Sequence, residues 1–421
     1  MIKQTAQIPT DYKSSPLGPI PKDWEVKRLG DCTNLLTNGF VGMATPHYTE
    51  DNDGIIYIQG YNVIEGGFNL KGIKKVTKAF HEKNKKSILS EGDLLTIQTG
   101  DIGLTTIVPK ELEGSNCHAL IISRFKDLIT PRFMLYYYNS PIGHNRFHII
   151  ETGSTMKHIN TGDLYKFLIP VPPLPEQHRI VSVLSLWDSA IAKQTALIEK
   201  LNLRKRGLMQ QLLTGKKRLE GFEREWKNIK LGSIAERITR KNEEDNKNVV
   251  TISAQRGFVV QTDFFNKSVA SEILDGYFLV HKDEFCYNKS YSNGYPMGAI
   301  KRLKSFDKAV VTTLYICFRL KEKPQTNIDF FEQYCESGLL NKELVKVANE
   351  GGRAHGLLNV TPSDFFNMHM SVPSINEQNA IASVLVNADK EIEIQKQKLT
   401  AMQEQKRGLM QVLLTGKKRI K

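Results

Sequence analysis

One stretch of this chain occurs twice, and the rest is arranged around it. The first copy runs from Pro173-Leu174-Pro175-Glu176-Gln177 to Leu212-Leu213-Thr214-Gly215-Lys216-Lys217-Arg218, and the second from Ser374-Ile375-Asn376-Glu377-Gln378 to Leu413-Leu414-Thr415-Gly416-Lys417-Lys418-Arg419. Glu176 aligns with Glu377 and Arg218 with Arg419, a constant offset of 201, and 22 of the 43 positions between them are identical. Each copy reads as one long helix. Ile180, Leu184, Trp187, Ile191, Gln194, Ile198, Leu201, Lys205, Leu208 and Leu212 alternate steps of four and three, the a/d seam of a coiled coil. The second copy keeps the seam at Ile381, Leu385, Ala388, Ile392, Gln395, Leu399, Met402, Lys406, Leu409 and Leu413, including its two polar interruptions. Pro172, Pro173 and Pro175 mark one start, and the capping-box pattern Ser374…Glu377 marks the other. Gly215 and Gly416, among basic residues, mark the stops.

A weaker echo extends the repeat. Trp24, Leu29 and Gly30 reappear as Trp226, Leu231 and Gly232. The repeat unit is therefore a globular region followed by a helix. The expected domains are an N-terminal extended arm at 1–20, a first globular domain at 21–168, a helical spacer at 169–221, a second globular domain at 222–368 and a second spacer at 369–421. The arm, with Pro9, Pro16 and Pro19, is expected to pack little by itself. Short β-rich runs dominate the first globular region: Ile55 to Gln59, Asp93 to Gln98 and Ala119 to Ser123. Pro131 to Asn139 and Ile142 to Ile150 read as short helices around Pro141. In the second region Asp283 to Asn288 and Val310 to Leu320 read as strands, and Phe330 to Asn349 as helix. Both regions close on glycine-rich turns, Gly153 to Ile159 and Gly351 to Leu358. The helical copies agree at about half their positions, whereas the globular regions share little beyond plan.

The fold class that follows is α+β: two β-rich globular domains separated by an antiparallel coiled coil of two long helices, with a pseudo-two-fold internal repeat. Pairing buries both seams, each apolar side chain contributing roughly 1.5–3 kcal/mol. With Ile180 opposite Leu413, Gln194 faces Leu399 and Gln395 faces Ile198, so the two glutamines are candidates for fixing register. A parallel, swapped dimer of chains is the alternative. The antiparallel arrangement carries the two globular regions at opposite ends of the rod.

Composition narrows the function. The chain has 421 residues, 40% of them hydrophobic, and no apolar run of membrane-spanning length; Met1-Ile2-Lys3-Gln4 does not open a signal peptide. Cys32, Cys117, Cys286, Cys317 and Cys335 are scattered and form no Cys-x-x-Cys, as expected of reduced thiols in a cytoplasm. The net charge of +13, with clusters at 204–206, 216–218 and 417–421, points to a polyanionic partner. A seam from 180 to 212 is about 48 Å long at 1.5 Å per residue. Two domains on such a spacer suit two DNA half-sites about one helical turn apart. Because the domains differ, the half-sites should differ, giving a split, asymmetric site.

At this point the sequence resembles a known family. Ser15-Pro16-Leu17-Gly18, Ile20-Pro21, Trp24, Leu29-Gly30, the Pro172-Pro173-Leu174-Pro175-Glu176-Gln177 run and the Lys205-Arg206-Gly207-Leu208-Met209-Gln210 to Thr214-Gly215 ending resemble the specificity subunit of type I restriction–modification enzymes. The resemblance covers about residues 14–421. It implies two target-recognition domains, each reading half of a split double-stranded DNA site. It also implies a helical spacer that docks two methyltransferase (modification) subunits, to which restriction (translocase–nuclease) subunits join. The chain itself would be non-catalytic and would need no cofactor, the partner subunits using S-adenosylmethionine, ATP and Mg.

The residues agree with that absence of chemistry. There is no Gly-x-Gly-x-x-Gly after a strand, no Walker A and no Asn-Pro-Pro-Tyr-like run, and Thr214-Gly215-Lys216-Lys217 lacks the upstream glycine. His144 and His148 share a helix face but have no third ligand in a zincin pattern, so no metal is expected. Base readers should be polar side chains on turns beside glycine, where the backbone approaches a groove. In the first domain these are Gln59, Gln98, Thr99, Asp101, Ser154, Thr155, Lys157 and His158; in the second, Arg256, Asn288, Lys289, Ser290, Tyr291, Asn293, Arg353 and His355. The basic groups at 204–206 and 406–407 read either as phosphate contacts or as helix ends and docking surface. Two other functions compete: a coiled-coil adaptor with incidental charge, and a stand-alone methyltransferase or nuclease.

Overall fold

The computed structural model of the chain describes residues 9–154, 157–261, 274–350 and 358–420. It divides into two compact units, one running to Thr195 and resuming at Lys398, the other Ala196–Gln397. Each unit thus takes its globular domain and half of one long helix from one copy, and half of the other long helix from the other copy.

The two domains share a plan, element by element. In the first, an antiparallel sheet has the order Thr105–Ile107, Leu94–Ile97, Leu120–Phe125, Thr33–Asn38. In the second, Ala299–Arg302, Phe285–Asn288, Ile316–Leu320 and Ala235–Ile238 repeat that order. Glu25–Arg28 pairs with Leu168–Val171 in one unit, and Lys227–Lys230 with His369–Val372 in the other. The strand that opens each domain therefore pairs with the strand that leads into its long helix. Leu94–Ile97 is buried along its whole length, and its one polar side chain, Thr96, is bonded to the Thr105 hydroxyl at 2.9 Å. Short helices cover the sheets: Pro131–Tyr138 and Pro141–Ile149 in the first domain, Ile328–Glu336 and Asn341–Val347 in the second. Pro141 starts its helix, with the Ser140 hydroxyl accepting the Gly143 N–H.

The long helices are Leu174–Leu212 and Ile375–Leu413, 39 residues each. Gly215 (φ 69°) and Gly416 (φ 71°) follow their ends in the left-handed conformation that stops a helix. Every seam position is buried or half-buried, while Leu186, Leu203 and Ile394, off the seam, are exposed. Inside each unit the helix halves run antiparallel. Glu176 meets Arg419 and Asp188 meets Lys406 in the first unit; Lys205 meets Asp389 and Arg218 meets Glu377 in the second. The seam lysines are thus paired with carboxylates of the other helix.

The Glu-Gln dipeptide at each helix start has a defined task. Gln177 accepts the Thr130 N–H at 2.9 Å and donates to the Leu128 and Pro172 carbonyls. Gln378 accepts the Asn327 N–H at 3.0 Å and donates to the Pro373 carbonyl. Thr130 and Asn327 are the N-cap residues of equivalent helices, so one amide ties each domain's first helix to a long helix. Glu176 is 2% exposed; it takes both nitrogens of the Arg419 fork at 2.6 Å and the Trp24 indole N–H at 2.9 Å. Arg419 also binds Asp23 bidentately, at 2.7 and 2.9 Å.

Four expectations need correction. The arm is tied down by hydrogen bonds, although most of it is exposed: Gly18 (φ 91°) turns the chain so that Tyr12–Lys13 pairs with Ile20–Pro21, and the Tyr12 hydroxyl donates to the Gly416 carbonyl at 2.6 Å. The prolines shape this turn; they do not keep the arm free. Val310 to Leu320 is two strands, Lys308–Val311 and Ile316–Leu320, in different sheets. The Thr312 hydroxyl accepts the Leu314 N–H and makes the turn between them. The helical run after Phe330 breaks at Gly338 (φ 74°). Glu377 does not turn back to cap its helix, because Arg218 holds both carboxylate oxygens at 2.6 and 2.7 Å.

Candidate nucleic-acid interface

In the first domain the turn after Leu94–Ile97 carries Gln98, Thr99 and Asp101. It is closed by Gly103 (φ 86°), whose N–H donates to the Ile97 carbonyl. Gly103 is required: an added Cβ would lie 2.5 Å from the Phe147 ring. Thr152, His158 and Ile159 lie against this turn. Thr99 and Thr152 each bridge His158, and the Ile159 N–H donates to the Gln98 carbonyl at 3.0 Å. Gln98, Thr99, Lys157 and His158 are thereby brought together. Thr99, Asp101, Ser154 and Lys157 are exposed, and Gln98 and His158 are half-buried. Lys157 pairs with Glu151 at 3.2 Å. Gln59 lies elsewhere, directly after Ile55–Ile58 of the sheet formed with Asn116–Cys117 and Lys74–Val76, and its amide donates to the Tyr48 and Tyr61 hydroxyls at 3.3 Å. Thr155 lies outside the described residues.

In the second domain a cleft of about 320 Å³ opens between the hairpin Val250–Ser253/Gly257–Val260, the turn after Phe285–Asn288 and the Thr312–Tyr315 turn. Its polar lining is neutral: Thr251, Ser253, Gln255, Asn288, Ser290 and Ser292 among others. Asn288 is already engaged, donating to the Ile252 carbonyl at 3.2 Å and accepting the Ser290 N–H at 3.0 Å. It holds the cleft walls together. Gln255 donates to the Asn293 carbonyl at 2.9 Å, which links the hairpin to the exposed turn bearing Tyr291 and Asn293. Arg256 stands exposed at the hairpin tip beside Gly257 (φ 74°). Burial pushes the Lys289 ammonium pKa down. Arg353 and His355 lie outside the described residues.

Sequence reasoning missed Thr251, Ser253, Gln255, Ser292 and Thr312. Gln255 was within reach, since it is a polar side chain at a turn next to a glycine, like Gln98. The others are joined only when the hairpin folds over the strand end. The basic helix groups divide: Arg204, Lys205 and Lys406 are held in ion pairs within their units, while Arg206 and Arg407 are exposed. His148 is bonded to Glu151, and His144 is half-buried, which lowers its pKa. Among the described residues no group of three or more His, Cys, Asp or Glu side chains could hold a metal ion, and no helix is long and apolar enough to cross a membrane.

Two β-rich domains carrying polar turns bounded by glycines, each clamped by halves of two matched helices, define a two-domain, helix-linked architecture. Residues 21–203 match the model of the type I restriction modification DNA specificity domain. A Methanocaldococcus jannaschii protein, provisionally named as specificity subunit of the type I restriction enzyme MjaX, is 27% identical over 441 residues, covering 98% of this chain and 97% of its own length. The MjaVIII specificity subunit of the same organism is 23% identical, covering 96% and 94%. A solved chain of a type I restriction–modification system, from work on its assembly and conformational transition, has a TM-score of 0.59 at 16% identity, covering 94% of this chain and 99% of that one. The S subunit of a type I restriction–modification system from M. genitalium has a TM-score of 0.51 at 16% identity, covering 93% and 96%. The match to the type I restriction modification DNA specificity domain thus falls in the first half of the chain, and over nearly its whole length the chain is similar to proteins named as type I restriction enzyme specificity subunits.

Proposed function

We propose that this chain selects the DNA sequence on which a type I restriction–modification complex acts, each domain reading one half of a split, asymmetric site. One observation carries the reading: the two units repeat sheet order and helix clamps, yet present different turns and side chains where a groove would be met. A shared scaffold with unlike tips suits one polymer read at two unlike places. The first domain would read with the Gln98–Asp101 turn, Lys157 and His158, and the second with Gln255, Ser290, Ser292 and Arg256. The +13 charge supplies the attraction to phosphates that any duplex offers. The helix pair would set the half-site separation and dock two methyltransferase subunits, with restriction subunits joining that core. Those partners would bring S-adenosylmethionine, ATP and Mg, and the assembly would act in the cytoplasm on a flipped base.

The test is to coexpress the chain with a modification subunit and sequence the methylated genomic DNA. The expected motif has two unlike blocks separated by a fixed gap. An unbroken palindrome, or no added methylation, contradicts the reading. Binding of S-adenosylmethionine by the isolated chain would favour a stand-alone methyltransferase instead.

A further inference from the structure

Each unit contains the same three-way junction. In the first, Asp188 of the first long helix receives the Lys406 ammonium of the second on Oδ1 at 2.5 Å, and the Tyr136 hydroxyl on Oδ2 at 2.5 Å. In the second, Asp389 of the second long helix receives the Lys205 ammonium of the first on Oδ1 at 2.6 Å, and the Gln333 amide on Oδ2 at 2.6 Å. Tyr136 and Gln333 sit at the same place, five residues past the first residue of equivalent helices, Pro131–Tyr138 and Ile328–Glu336. The lysine side chains are 19% and 17% exposed, and the aspartates 45% and 44%. One carboxylate in each unit therefore spends one oxygen on the opposite long helix and the other on the recognition domain.

The arrangement is costly unless it has a task. A lysine at a seam position forgoes the burial of an apolar side chain, and a lone polar residue there weakens the pair while specifying it. The domain-side donor differs, a phenol in one unit and an amide in the other, while the acceptor oxygen and the helix position are kept. What the two units share is the connection. A slip of one heptad in the first unit would set Lys406 opposite Val181 or Thr195 in place of Asp188; in the second it would set Lys205 opposite Ala382 or Lys396. Either slip would also break the bond to the domain.

We propose that Asp188 and Asp389 are positioning residues that orient each recognition domain on the helix pair, so that each governs how sharply its own half-site is read. They touch no DNA. They act through Tyr136 and Gln333, which continue into the helices that cover each recognition sheet. This rests on the split-site reading above and adds the joint that holds each reader.

The test uses the full chain assembled with a modification subunit and a pool of random-sequence duplex DNA, with bound duplexes sequenced. Asp188→Asn should reduce discrimination in the first half-site about tenfold, the scale of one lost charged hydrogen bond, and leave the second unchanged. Asp389→Asn should do the reverse. Tyr136→Phe, which also removes a bond to the Ser185 hydroxyl, and Gln333→Met take away the domain-side donor and should relax the same halves without removing either partner of the lysine pairs; they serve where an aspartate variant does not accumulate. Restoring the carboxylate as Asp389→Glu should recover part of the loss. A purely structural role would lower stability and yield while leaving both blocks as sharp as in the wild type, and that result overturns the proposal. If the wild-type complex itself enriches no two-block motif, the split-site reading fails instead.

Discussion

Arg419→Ala is the most informative single change to the scaffold. Arg419 closes the first unit by binding Glu176 and Asp23 bidentately, and Glu176 is 2% exposed. Removing the guanidinium leaves a buried carboxylate with the Trp24 N–H and no counter-charge. Breaking a buried pair from one side costs about 3–5 kcal/mol. The arginine is 31% exposed, so water can partly replace it and the lower end, about 3 kcal/mol, is expected. At about 2–4 °C per kcal/mol for a unit of this size, the first unit should melt about 6–12 °C lower. Differential scanning calorimetry of the full chain at pH 7 measures this. Glu176→Gln combined with Arg419→Ala removes the orphaned charge and should recover most of the loss. The reasoning is refuted if Arg419→Ala melts with the wild type, or if the double variant is as unstable as the single one.

Three further outcomes follow from the same geometry. The Arg419 guanidinium holds the Asp23 carboxyl below its usual 3.8, so its contribution is present above that value and is lost as pH falls through the depressed folded value; acid-unfolding curves of Asp23→Asn should lack this part of the pH dependence. Gly416→Ala should destabilise by more than Gly215→Ala: both glycines have positive φ, costing about 1–2 kcal/mol for a Cβ, but only at 416 would the Cβ meet the Pro21 ring at 2.5 Å. Calorimetry on the pair gives the difference directly. Binding to random duplex DNA should fall steeply between about 50 and 200 mM salt; a binding curve indifferent to salt would favour a protein-only adaptor.

The scaffold was legible because it obeys a period. A seam at steps of four and three, kept at a second site 201 residues on, specifies two long helices and their buried stripe without any tertiary information. The ion pairs were half-legible. Glu176, Asp188, Lys205 and Arg218 all recur in the second copy, so their importance to the repeat was visible, but their partners are set by the antiparallel register. Tyr136 and Gln333 gave no signal, because the two copies use different side chains for one bond. The candidate surfaces were the least legible part. Asn288 and Gln255 both line the cleft and both spend an amide N–H on a backbone carbonyl, yet only Asn288 stood out in the sequence. Turn chemistry identified where the chain bends, and only the fold identifies which bends meet. Thr312 shows the same limit, since a hydroxyl–backbone bond inside an unbroken run of strand formers moves the chain from one sheet to another.

The direct test is the selection of bound duplexes by complexes carrying Thr99→Ala or Gln255→Ala, one variant per domain. Each should relax one block only, the two blocks being different, with the loss near the 1–3 kcal/mol of a specific base contact. If both variants blur the same block, or blur both blocks equally, the two domains are not separate readers and the functional account is wrong.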